Sequence, residues 1–145
     1  MGPHILVPLD GSDPSWDALD HVIETFSEGH VTTLHVVDPT AGIYSGIEGG
    51  YYDPDAYDRA VDRGESLCAD AKDRMDTAGR LETMDVTAAV ESGRPARVIL
   101  EYIEEHDVDH VVMGSHGRSG VTRILLGSVA ETVTRRSPVP VTIVR

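Results

Sequence analysis

The chain has 145 residues, with 25 Asp+Glu against 12 Lys+Arg, a net charge of -13 and one cysteine. That length suits one domain, 1–145, able to bury a core without a disulfide or metal staple, and the lone Cys68 has no partner for either. The acidity excludes a nucleic-acid partner, because it repels a phosphate backbone and no basic stripe interrupts it, while no apolar run approaches the ~18 residues of a membrane span or the length of a signal peptide.

A cytoplasmic protein is therefore expected. Of the positive residues only Lys72 is lysine. Carboxylates without lysine, spread along the chain, predict adaptation to high salt, a halophilic trait in which counter-ions screen the self-repulsion. No acidic cluster is then read as a metal site on charge alone.

His4-Ile-Leu-Val-Pro-Leu9 is a short apolar run ending at Asp10-Gly-Ser-Asp, which predicts a buried strand that stops at a loop. Ser15 is the expected cap of a helix carrying Trp16, Leu19, Val22, Ile23 and Phe26 on one face. The β-branched segment Val31–Val37 predicts a second strand, stopped by Asp38-Pro39.

Residues 40–54, rich in glycine and tyrosine and without a sustained period, predict a mobile surface loop or lid. A helix is expected over 54–78, with Ala60, Leu67, Ala71 and Met75 on its buried face and Gly79 as its breaker. Alternation over 84–90 predicts a third strand. Pro95 then opens a helix with Val98, Ile99, Tyr102 and Ile103 as its stripe. His110–Gly114 predicts a fourth strand, 128–136 a last helix and 139–144 a fifth strand. Strands alternating with helices imply an open, twisted, five-stranded parallel sheet of the α/β class with helices on both faces. Ligands of such sheets bind beyond the strand C-termini where strand order reverses.

Between the fourth strand and the last helix runs Gly114-Ser-His-Gly-Arg-Ser-Gly-Val-Thr-Arg-Ile-Leu-Leu-Gly127-Ser128. Its spacing, G-x2-G-x9-G-[S/T], fits neither the Walker loop nor the dinucleotide fingerprint. Amides bared by glycine ahead of a helix N-terminus nevertheless form a cradle for phosphate oxygens. Gly117 and Gly127 are expected to allow positive φ or close backbone approach. Ser128 is expected to cap the helix, a geometry compatible with phosphate binding. His116, a single imidazole, is expected to face solvent, and Arg118, in a chain this poor in positive charge, to meet the phosphates.

With the opening Val-Pro-Leu-Asp10-Gly-Ser, the segment Leu34-His-Val36-Val, and Met113-Gly-Ser-His-Gly-Arg-Ser-Gly ahead of Leu126-Gly-Ser-Val-Ala, the chain resembles the universal stress protein (UspA) family over essentially its whole length. With its glycine motif the chain looks like the ATP-binding kind of that family, and the resemblance implies a Rossmann-like, adenine nucleotide alpha hydrolase-like fold. The resemblance implies that Asp10 sits beside the nucleoside, that Val36 offers backbone groups to the adenine edge, and that Gly114 lies near the ribose, with Met113 also among the nucleotide-binding residues. Gly117, Gly127, Ser128 and Val129 would hold the phosphates, with Arg118 on their outer oxygens. Mg2+ or Mn2+ bridging those oxygens is implied as well, and so is a homodimer through the C-terminal strand. The function implied is a nucleotide-dependent regulatory module with little or slow ATP hydrolysis. Two alternatives stand beside it: an ATP-dependent enzyme acting on a small substrate under the 40–54 loop, and an oligomeric scaffold that binds nothing.

Overall fold

The computed structural model describes residues 2–40, 43–46, 49–116 and 126–145. Gly117 and Arg118 lie outside the described residues. In chain order the elements are β1 His4–Pro8, α1 Asp13–Thr25, β2 Gly29–Val37, β3 Ile43–Gly46, β4 Gly49–Tyr52, α2 Ala56–Thr77, a 3-10 turn Arg80–Glu82, β5 Met84–Ser92, α3 Pro95–Glu105, β6 His110–Gly114, α4 Ser128–Arg136 and β7 Val141–Val144.

Five strands form one sheet in the order β5-β2-β1-β6-β7, and every neighbouring pair is parallel. The chain winds outward from β1 through β2 to β5, then returns to the other side of β1 for β6 and β7. Strand order therefore reverses between β1 and β6.

Successive residues of a strand face opposite sides of the sheet, and β1 divides accordingly. Ile5 and Val7 meet Ala18, Leu19 and Val22 of α1 and Ala71 and Met75 of α2. Leu6 meets Val98, Ile99, Tyr102 and Ile103 of α3 and Ala130 and Val133 of α4. Two apolar layers thus sandwich the sheet. Cys68 belongs inside, 2% exposed, and burial raises its thiol pKa, which makes it inert.

Three expectations need correction here. Ser12, not Ser15, caps α1: its Oγ accepts from the Ser15 amide at 3.3 Å, and Ser15 lies within the first turn. The 40–54 stretch is not loop throughout, because β3 and β4 pair antiparallel with Ile43 opposite Tyr52. The last strand begins at Val141 rather than Val139, since Pro140 has no N–H to donate and enters the ladder only through its carbonyl, which accepts from the Val111 amide at 3.0 Å.

Among the described residues no carboxylate is buried. A surface of this composition repels itself in dilute buffer, and molar salt shortens the reach of that repulsion to a few ångströms. The melting temperature followed by circular dichroism should therefore rise substantially from dilute buffer to molar KCl. A flat response would remove the salt-adaptation reading. No helix among the described residues is long and apolar enough to cross a membrane.

Candidate functional site

A cavity of about 770 Å³ opens at the C-terminal ends of the strands, over the point where strand order reverses. Pro8, Leu9 and Asp10 line it from the end of β1, Leu34, His35, Val36 and Asp38 from β2, and Met113, Gly114 and His116 from β6. Ser15 of α1, Pro95 and Ile99 of α3, and Gly127, Ser128, Val129 and Ala130 at the start of α4 complete the wall. Seven of the nine residues the sequence singled out therefore meet in one place: Asp10, Val36, Met113, Gly114, Gly127, Ser128 and Val129. The other two, Gly117 and Arg118, lie outside the described residues.

The β1 end is built by a turn. Asp10 Oδ1 accepts from the Ser12 amide at 3.0 Å and from the Ser12 hydroxyl at 2.5 Å. Gly11 between them has φ +84°, a conformation that favours glycine. Asp10 thus fixes the residue that caps α1 while it lines the cavity, so its turn-forming and ligand-facing roles coincide.

At β6, the glycine of Gly114 is a packing requirement. A Cβ there would come within 2.7 Å of the Pro14 carbonyl carbon in the first turn of α1. Gly114→Ala is accordingly expected to cost about 1–3 kcal/mol through overpacking, lowering Tm by roughly 3–10 °C. Thermal unfolding would check it; an unchanged Tm would mean that α1 moves aside without cost.

The α4 end differs from expectation in two respects. Gly127, rather than Ser128, is the N-cap, and its φ of -63° is open to any residue. Its glycine matters for proximity instead, since a Cβ would lie 3.1 Å from the Cα of His116. Moreover, the Gly127 N–H is donated to Ser115 O at 2.7 Å. Ser128 and Val129 head the helix, where backbone amides have no intrahelical acceptor and the dipole favours negative charge. The Ser128 side chain is exposed. His116 is half-buried in the cavity wall rather than free in solvent, with Nδ1 3.1 Å from the Ser115 hydroxyl.

Charge orders the cavity from end to end. At the β2 end, the hydroxyl and amide of Thr40 on Asp38 Oδ1 hold that carboxyl below its usual range. A fixed anion disfavours phosphate at the β2 end, and the helix N-terminus favours it at the α4 end. Between them the wall is apolar, formed by Leu34, Val36, Ile99 and Met113. From sequence, Asp38, Pro95 and Ile99 read only as a strand stop, a helix start and a stripe residue, and His35 only as part of the segment that carries the family resemblance.

These features define a doubly wound α/β protein with its ligand cavity at the topological switch point. The whole chain, residues 1–145, matches the model of the universal stress protein family, and it belongs to that family. Universal stress protein MJ0531 of Methanocaldococcus jannaschii is 32% identical over 143 residues, covering 97% of this chain and 81% of the relative. Universal stress protein MJ0577 of the same organism is 32% identical over 158 residues, covering 100% of this chain and 96% of the relative. The solved structure of UspA from Lactobacillus plantarum superposes with a TM-score of 0.73 at 25% identity, covering 99% of this chain and 97% of that one. Two further structures share the fold: a universal stress protein described in complex with cAMP, at 24% identity and TM-score 0.69, covering 99% of this chain and 96% of that one, and an Arabidopsis thaliana family member described with AMP bound, at 18% and 0.66, covering 99% and 91%. At those identities they speak for the fold.

Proposed function

We propose that this chain binds an adenine nucleotide, ATP in particular, and acts as a nucleotide-dependent regulatory module of a stress response. The observation that carries the proposal is the two-ended cavity: apolar walls and the Val36 backbone at one end, the α4 N-terminus at the other, in a volume typical of small-molecule sites. In this reading the base lies against Leu34, Val36 and Ile99, the ribose beside Asp10, Met113 and Gly114, and the phosphates over Ser128 and Val129, with Gly117 and Arg118 completing the cradle. AMP and cAMP, described as bound in two proteins of the same fold, belong to the ligand class proposed here.

Among the described residues no three His, Cys, Asp or Glu side chains are grouped to hold a metal. Mg2+ or Mn2+ would therefore be carried by the phosphate oxygens, where it would neutralise charge that this acidic chain cannot. The set of groups that drives rapid phosphoryl transfer, a lysine on the β/γ-phosphates and a carboxylate on the metal, is not supplied by the 114–128 segment, which contains neither residue type. Slow hydrolysis at most is expected.

Mass spectrometry of small molecules released from freshly purified, denatured protein tests the ligand, with an adenine nucleotide as the expected species. Single-turnover hydrolysis tests the regulatory role: turnover at the rate of a dedicated ATPase would overturn it. We extend the proposal to assembly, with β7 pairing against the same strand of a second copy.

A further inference from the structure

Val36 lines the cavity, and the acceptor that its amide would otherwise reach is taken by a side chain. In a parallel ladder, alternate residues of a strand direct their N–H and C=O groups to opposite neighbours. The His30 amide donates to Pro3 O at 3.0 Å and Leu34 O accepts from the Leu9 amide at 2.8 Å, so the even-numbered residues of β2 turn toward β1. Val37 O accepts from the Gly93 amide at 3.0 Å, so the odd-numbered ones turn toward β5. One more step of the β1–β2 register, which ends at Pro8 opposite Leu34, would place the Val36 N–H on Leu9 O. That bond is not made. Leu9 O instead accepts from Nδ1 of His35 at 2.7 Å. A carbonyl only accepts, so Nδ1 carries the proton in this tautomer.

The ring needs space, and α2 supplies it. Gly64 sits on the buried face of a 22-residue helix, a poor choice for helix propensity. A Cβ there would lie 2.5 Å from Cδ2 and 3.1 Å from Cγ of His35. The absent side chain of α2 is thus the seat of the imidazole.

We propose that His35 is a positioning residue for base recognition. Its imidazole satisfies the Leu9 carbonyl in place of the Val36 amide, holds the ends of β1 and β2 apart, and leaves the Val36 N–H and C=O as a donor–acceptor pair aimed at the edge of a bound base. Gly64 is the position on α2 that permits this. The inference rests on the adenine-nucleotide reading of the cavity and names how that site sees the base.

Three variants test it: His35→Leu removes the donor, His35→Asn keeps an N–H at the same reach, and Gly64→Ala pushes the ring aside while favouring the helix. Amide exchange by NMR on ligand-free protein reads the strand ends directly. The Val36 amide should exchange rapidly in the wild type and at least tenfold more slowly in His35→Leu, where it takes the Leu9 carbonyl. Calorimetry with AMP should show about tenfold weaker binding for His35→Leu and Gly64→Ala and wild-type affinity within about threefold for His35→Asn, a loss the size of one buried hydrogen bond. Inorganic triphosphate, which has no base, should bind all four proteins alike. Unchanged Val36 exchange in His35→Leu, unchanged AMP affinity in that variant, equal weakening of triphosphate, or His35→Asn as weak as His35→Leu would each overturn the proposal. A wild-type protein that binds neither probe would instead overturn the nucleotide reading, and the exchange data would still decide whether His35 holds the strand ends apart.

Discussion

Valine at both Gly117 and Gly127 is expected to abolish nucleotide binding while the sheet remains folded. The case is clearest at Gly127. Its amide is anchored on Ser115 O at 2.7 Å, and the position of its missing Cβ is 3.1 Å from His116 Cα and 3.4 Å from Ser115 O. A valine adds two more carbons beyond that point, so either the His116 backbone shifts into the cavity or the start of α4 retreats from it. Retreat carries the Ser128 and Val129 amides with it, and hydrogen bonds to phosphate weaken steeply with distance and angle. Because the φ of -63° suits any residue, no torsional strain is added at Gly127. The stability loss should stay on the order of 1–2 kcal/mol, a few degrees in Tm. Calorimetry with ATP and with AMP should show at least a hundredfold loss in the double variant. Gly127→Ala alone, which places one carbon at the tight contact, should fall between. Wild-type affinity in the double variant would remove the site assignment.

What the sequence disclosed was whatever depends on local pattern. The continuous apolar run of β1 and the stripe Val98, Ile99, Tyr102 and Ile103 on α3 follow directly from pattern and burial, and all four stripe residues are buried as the pattern requires. The cavity was legible for a related reason: Asp10-Gly-Ser and the glycine segment stand at strand ends, where the chain turns polar. Cap positions were less legible. Ser12 and Ser15 are both competent caps, and the choice was settled by Asp10, whose carboxylate holds Ser12 in place. Ser128 looked like a cap because of its side chain, yet the cap is Gly127, held by a backbone bond to Ser115 that no local pattern announces.

His35 shows the other limit. Its role depends on Leu9, 26 residues earlier, and on a gap left by Gly64 in α2. Neither relation has a period, so only the folded chain reveals it. The β3–β4 pair was hidden for a composition reason, since a segment rich in glycine scores as loop even where tyrosine, a good strand former, alternates with it.

Substitution of β7 should turn a dimer into a monomer. The sheet has two edges, and they are dressed differently. On β5, Asp85, Thr87 and Glu91 put charge and polarity on the exposed edge strand, a common guard against further pairing. β7 has no charged residue in Val141–Val144, and all four residues are half-buried in the single chain. The carbonyls of Pro140, just ahead of the strand, and of Val144 accept from Val111 and Ser115, so the even-numbered positions serve β6. By the same alternation Val141 and Ile143 turn their N–H and C=O groups outward. A second copy related by a two-fold axis would satisfy those groups and cover the valines in one isologous contact. Light scattering at micromolar concentration in high salt should therefore give about twice the 15.7 kDa chain mass. Val141→Lys with Ile143→Lys should give monomer. Because both side chains also pack at the margin of the α3–α4 core layer, Ile143→Pro serves as the independent variant: it deletes one outward N–H, keeps an apolar ring and leaves the bonds to β6 intact. Monomer in both, with circular dichroism unchanged for the proline variant, supports the strand interface. A wild-type monomer, or a proline variant that stays fully dimeric, would place the contact on another surface or remove it.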